Sequence, residues 1–80
     1  MRVLMLGRLR DIAGWREQVI EPAPDTLHGL RARLAQQDGV LGQALQGPGV
    51  QAAVNKVVVR GDAPLLAGDE VAFMPPMSGG

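Results

Sequence analysis

Eighty residues, 46% of them apolar, make one domain with a modest core, enough to bury a little over roughly 60% of the surface the unfolded chain exposes. Eight basic and eight acidic residues cancel and no basic run occurs, which argues against nucleic acid and anionic membrane as partners. The absence of cysteine removes disulfides, thiolate catalysis and thiolate metal sites together. No apolar run approaches the length of a membrane span. Met1-Arg2 leads straight into Val3-Leu4-Met5-Leu6 without the stretch or cleavage site of a signal peptide. A cytoplasmic protein is expected.

In chain order, Arg2 to Leu6 reads as a first strand, and the glycine-bracketed Gly7–Gly14 segment has room for one helical turn. Arg16 to Glu21 is a second strand, ended by Pro22-Ala23-Pro24-Asp25. Thr26 is placed to N-cap a helix in which Leu27, Leu30 and Leu34 recur on one face. Arg31 and Arg33 then face outward, and Asp38-Gly39 supplies the stop. Gly29 inside this helix costs about 1 kcal/mol relative to alanine, so a close contact is expected there. Val40, Leu41, Ala44 and Leu45 predict a second short helical turn before the Gly47-Pro48-Gly49 break.

Val50 to Arg60 carries the strongest strand signal, with Val54, Val57, Val58 and Val59 in a β-branched run. Gly61-Asp62-Ala63-Pro64 turns the chain, Leu65-Leu66 reads as a short buried stretch, and Ala67-Gly68-Asp69 turns it again. Glu70 to Met74 is the last strand, terminated by Pro75-Pro76. The order is β-β-α-β-β, an α+β arrangement with one main helix across one face of a mixed sheet. The single domain 1–80 divides into a globular part, 1–75, and an extended flexible tail, 76–80.

Strand alternation assigns faces. With Val3, Met5, Val57, Val59, Val71 and Phe73 turned toward the helix, the outer face receives Arg2, Leu4, Leu6, Lys56, Val58, Arg60, Glu70, Ala72 and Met74. Leu6, Val58 and Met74 fall toward the strand ends, where an apolar cluster on an open face marks a partner surface.

The residues offer no self-sufficient active site. His28 is the only histidine and has no second ligand to complete a metal site, so it reads as a solvated helix residue. Ser78 is the only serine and lacks a neighbouring base. Asp69 and Glu70 are consecutive and point to opposite faces, against shared acid–base work. Arg60-Gly61-Asp62 is accounted for by a turn. What remains is the Gly79-Gly80 ending, which has no side chain to obstruct it and can thread a narrow pocket; the plain alternative is a frayed terminus.

The ββαββ order, Ala53-Val54-Asn55, and the run from Gly68-Asp69-Glu70-Val71 through Pro75-Pro76-Met77-Ser78-Gly79-Gly80 resemble the β-grasp, ubiquitin-like sulfur carriers, and most specifically the MoaD family, the small subunits of molybdopterin synthase. The resemblance implies a carrier with no catalytic residue, bound cofactor or metal of its own. It implies that the Gly80 carboxylate is adenylated by an ATP-using, E1-like adenylyltransferase and converted to a thiocarboxylate with sulfur from a donor enzyme. Met77, Ser78, Gly79 and Gly80 would thread into the large subunit of a heterotetrameric synthase, where sulfur passes to cyclic pyranopterin monophosphate. Partner contact maps by the same resemblance onto Leu6, Val58 and Met74, with Arg10 after the first strand matching a family arginine. Family members often carry an aromatic where Leu6 and Met74 stand. Three other readings stay open: a sulfur carrier for thiazole synthesis, a ubiquitin-like modifier joined to lysines through Gly80, and an interaction module with an inert tail.

Overall fold

A computed structural model of the chain describes residues 1–76. Its elements are β1 (Arg2–Met5), α1 (Arg8–Ala13), β2 (Glu17–Val19), α2 (Leu27–Gln37), α3 (Gly39–Leu45), β3 (Gln51–Val54), β4 (Val57–Val59) and β5 (Glu70–Met74). The five strands form one mixed sheet in the order β2-β1-β5-β3-β4. Only β1 and β5 run parallel, in the register Arg2↔Glu70 to Met5↔Phe73. The architecture is the expected β-grasp, a mixed sheet with its main helix packed across one face.

Local chemistry explains α2 and α3. Thr26 is extended, and its Oγ1 accepts a hydrogen bond from the Gly29 N–H at 3.0 Å, satisfying one orphan donor of the first turn. That bond also answers the expected close contact at Gly29, where a Cβ would sit 3.2 Å from the same hydroxyl. Asp38 ends α2 and caps α3, with Oδ1 accepting from Val40 N–H at 3.0 Å and Leu41 N–H at 3.2 Å. Leu27, Leu30 and Leu34 of α2 meet Val3, Met5, Val71 and Phe73 of the central strands, all of them with no exposed surface. Leu9, Leu41 and Leu45 close the same cluster from α1 and α3.

Several expectations are corrected. The Val50–Arg60 segment is a hairpin, not one strand: β3 and β4 pair antiparallel, Val54 opposite Val57, around Asn55-Lys56. Both turn residues have positive φ, 50° and 70°, the backbone a tight two-residue hairpin requires and one more usual for Asn-Gly. Lys56 is therefore a turn residue with no sheet face. Val57 is on the helix side by register yet 64% exposed, because it sits on an edge strand beyond the helices' cover. Leu65 is buried but Leu66 is 74% exposed. The α2 arginines do not simply face solvent. Arg31 lies with its guanidinium carbon 5.6 Å from the centre of the Phe73 ring, and Arg33 donates to the carbonyls of Glu21 and Pro22. The first glycine-bracketed segment is a helix of six residues, longer than one turn.

The hairpin is latched to the start of β5. Asn55 Nδ2 donates to Asp69 Oδ1 at 2.9 Å, and Asn55 Oδ1 accepts from Glu70 N–H at 3.0 Å. Asp69 Oδ2 also accepts from Leu66 N–H at 2.8 Å. The Asn55 amide, then the Leu66 N–H, hold the Asp69 carboxyl below the ordinary aspartate range. A lowered carboxylate value means the unfolded chain takes up protons first, so this contribution is present above about pH 4 and lost as pH falls through the lowered value. Asp69→Asn is expected to lower the urea midpoint at pH 7, with the gap to the parent chain narrowing toward pH 3. A gap of constant size across that range would refute the latch as a carboxylate effect.

Candidate functional site

The outer sheet face is built by alternation. Leu4 pairs with Ala72, Ala72 with Ala53, and Ala53 with Val58, giving one apolar row across four strands. One step toward the C-terminal end of β5, Met74 pairs with Gln51. Leu6 lies beside Met74, its N–H donating to the Phe73 carbonyl at 3.0 Å in continuation of the β1–β5 ladder. Leu6 and Val58 are exposed, at 40% and 48%, and Met74 is half-buried. The opposite end of the face is charged. Arg2 donates from Nε and Nη2 to both carboxylate oxygens of Glu17 at 3.2 Å, and its Nη1 lies 3.2 Å from Glu70. These hydrogen bonds, with the attached charge, hold Glu17 below its ordinary range and raise Arg2. The face is thus polarised along its strands, apolar where β5 ends and ionic where β5 begins.

Of the sequence-assigned contact residues, the fold brings Leu6 and Met74 side by side and leaves Val58 on the same face, two strands away. Arg10 stands apart from the sheet, exposed on α1. Gly80, with Met77, Ser78 and Gly79, lies outside the described residues. Among the described residues no group of three histidine or acidic side chains could hold a metal ion. His28 is 63% exposed and 3.5 Å from Asp62, whose Oδ1 accepts from the His28 N–H and the Ala63 N–H and so organises the Arg60-Gly61-Asp62 turn. The His28 N–H is the chief reason that the Asp62 carboxyl lies below its ordinary range.

Sequence reasoning missed how the chain is held where β5 ends. Gly7, with φ 55°, presses its backbone against Pro75, such that a Cβ there would come within 2.8 Å of Pro75 Cγ. Gly49, with φ 81°, does the same to Pro76, whose Cβ would lie 2.7 Å from an added Cβ. Each proline of the pair is thus seated on a glycine backbone from a different connection. Gly7 and Gly49 read in the sequence only as punctuation; a proline pair after the last strand was the one available signal that something must seat it.

A model of the ThiS family matches residues 3–80. The chain belongs to the ThiS family. Curated relatives are similar along their full length. The molybdopterin synthase sulfur carrier subunit of Escherichia coli (strain K12) is 36% identical over 80 residues, covering 100% of this chain and 99% of that one. The corresponding subunit of Haemophilus influenzae is 29% identical over the same coverage. Among solved structures, the putative molybdopterin converting factor subunit 1 of Pyrococcus furiosus superposes with a TM-score of 0.72 at 26% identity, covering 95% of each chain. SAMP1 of Haloferax volcanii superposes with a TM-score of 0.81 at 22% identity, over 100% of this chain and 98% of that one, a likeness of fold. This ThiS-family member is a sulfur carrier, a small protein whose role is non-catalytic.

The glycine seats make a direct test of what holds the end of β5. Gly49→Ala would place a Cβ at positive φ and against Pro76, and is expected to cost about 1–2 kcal/mol of stability by denaturant unfolding. Gly61→Ala, at a similar positive φ of 72° but where a Cβ meets nothing within 4 Å, serves as the control. Equal stability of Gly49→Ala and the parent chain would show that Pro76 does not bear on Gly49.

Proposed function

We propose that this sulfur carrier serves molybdopterin synthase, delivering the sulfur of a Gly80 thiocarboxylate to cyclic pyranopterin monophosphate inside the synthase large subunit. The observation that supports this most is the similarity to the Escherichia coli molybdopterin synthase sulfur carrier subunit, 36% identical over an alignment that spans all 80 residues. Carboxylate chemistry makes the route intelligible. A carboxylate carbon has no adequate leaving group. An ATP-using, E1-like adenylyltransferase supplies one: a Gly80 oxygen bonds to the α-phosphorus and pyrophosphate departs. Hydrosulfide supplied by a donor enzyme then forms the C–S bond as AMP leaves; where the sulfur arrives instead as the donor's persulfide, the acyl disulfide formed is cleaved by a thiol, which takes the donor's sulfur into a disulfide and frees the thiocarboxylate. The resulting thiocarboxylate is ionised at neutral pH and far more nucleophilic than the carboxylate, so no cysteine is required on the carrier. The setting proposed is cytoplasmic; among the described residues no helix is long and apolar enough to cross a membrane.

The contact surface proposed for the large subunit is the apolar end of the outer sheet face, Leu6 and Met74 with Val58 behind them, joined by Arg10 on α1. An apolar face that ends where the chain departs toward Gly80 brings docking and delivery to the same edge of the domain. The charged end, where Arg2 bridges Glu17 and Glu70, is left to solvent, and exposed pairs of this kind add little to stability.

Two experiments decide the matter. Incubation with the adenylyltransferase, ATP and a sulfur donor should replace one oxygen of the terminal carboxyl group by sulfur, read by intact mass. Deletion of Gly80 should abolish that shift while leaving the unfolding midpoint unchanged. Persistence of the unmodified carboxylate under full supply would sink the carrier reading, and isopeptide adducts of Gly80 on substrate lysines would replace it by the modifier reading. For the surface, Met74→Lys should weaken large-subunit binding by about tenfold or more without lowering thermal stability, since a lysine at a half-buried outward position extends its charge to water. Unchanged affinity would place the interface elsewhere.

A further inference from the structure

The Pro75-Pro76 root has two sides. One is the outer sheet face. On the other, α1 and the α3–β3 connection leave a groove of about 290 Å³ whose lining includes Arg8, Leu9, Ile12, Pro48, Val50 and Pro76. Ile12 is a large apolar side chain left 37% exposed there, although α1 buries Leu9 in the core. Arg8 stands at the groove, exposed and with no acidic partner among the described residues. We propose that this groove is a second contact surface for the protein that accepts the tail, taking an apolar side chain of that protein with a carboxylate beside it to meet Arg8.

Reach constrains the partner. On the delivery reading Gly80 is the reacting residue, and the four residues from Met77 to it span at most about 14 Å at full extension. A pocket that encloses so short a segment must bring its rim to the root of the tail. Pro76 is itself a wall of the groove, so a rim closing around Pro76 necessarily covers the groove as well as the sheet face. The exposed Ile12 and the uncompensated Arg8 specify what that rim offers: apolar contact in the middle and negative charge at the edge. Covering Ile12 removes apolar surface from water, and a carboxylate at the edge of the contact speeds encounter and fixes orientation.

The inference rests on the tail-delivery reading proposed above, and the experiment separates the two. Binding of the purified synthase large subunit would be measured for the parent chain, Ile12→Glu, Arg8→Glu and, as the sheet-face reference, Met74→Lys, with thermal unfolding of each. The expected result is a loss of affinity of about tenfold or more for Ile12→Glu, and a loss for Arg8→Glu that shrinks as salt is raised. If Ile12→Glu lowers thermal stability, the exposed Arg8→Glu variant carries the test. Parent-like affinity in both groove variants, alongside weakened Met74→Lys, overturns the groove proposal alone. Failure of the parent chain to bind the large subunit overturns both readings.

Discussion

The parallel pairing of β1 with β5 sets the geometry on which everything else depends. Both strands occupy the centre of the sheet and run in the same direction, so the end of the first strand and the end of the last lie at one edge of the domain. Leu6 is brought beside Met74 by that register, and Gly7 comes to stand against Pro75 because each is the next step along its own strand. An antiparallel pairing of the same two strands would place Leu6 beside the start of β5 and leave the chain to depart next to Arg2. The site follows from one choice of strand direction, and that choice demands the long crossover that α2 and α3 supply.

The helix layer has a matching constraint. Three leucines of α2, one of α1 and two of α3 reach the central strands but do not cover the edges, so β4 is left with Val57 and Val58 exposed on its two sides. The uncovered outer face stays small because it is filled by modest side chains at its middle: Ala53 and Ala72 lie between Leu4 and Val58. Small residues there keep the surface flat, and the larger apolar groups stand only toward its rim. Flatness in the middle with apolar height at one end suits a surface that meets a partner at the edge from which the chain departs.

Much of this was legible in the sequence. Thr26 and the Leu27, Leu30, Leu34 spacing locate α2 because capping and helical period are local. Val3, Met5, Val71 and Phe73 were placed inward by alternation alone, and Leu6, Val58 and Met74 outward by the same rule. Val50 to Arg60 failed for an equally physical reason. Its hairpin turns on Asn55-Lys56, and a lysine at positive φ gives none of the glycine signal that reveals such turns. The turn is held by Asp69 and Glu70, fourteen and fifteen residues on, a partnership no local pattern announces. Arg31 was misread for a related reason: helical period makes it a boundary residue, and only the tertiary approach of Phe73 draws its guanidinium inward. Beyond the proline pair itself, the glycine seats and the groove beside Pro76 left no local signal, because the seats join backbone from separate connections and the groove is assembled from α1, α3 and the α3–β3 connection.

The position of β5 also determines how the domain bears load. This strand is hydrogen-bonded on both sides, to β1 and to β3, and its first residues are tied to Asn55. A pull on the chain beyond Pro76 is directed along β5, so the two ladders resist in shear, with their bonds strained together. A peripheral strand such as β4 would peel from the sheet one bond at a time. Force applied beyond Pro76 is therefore spread over the whole centre of the sheet.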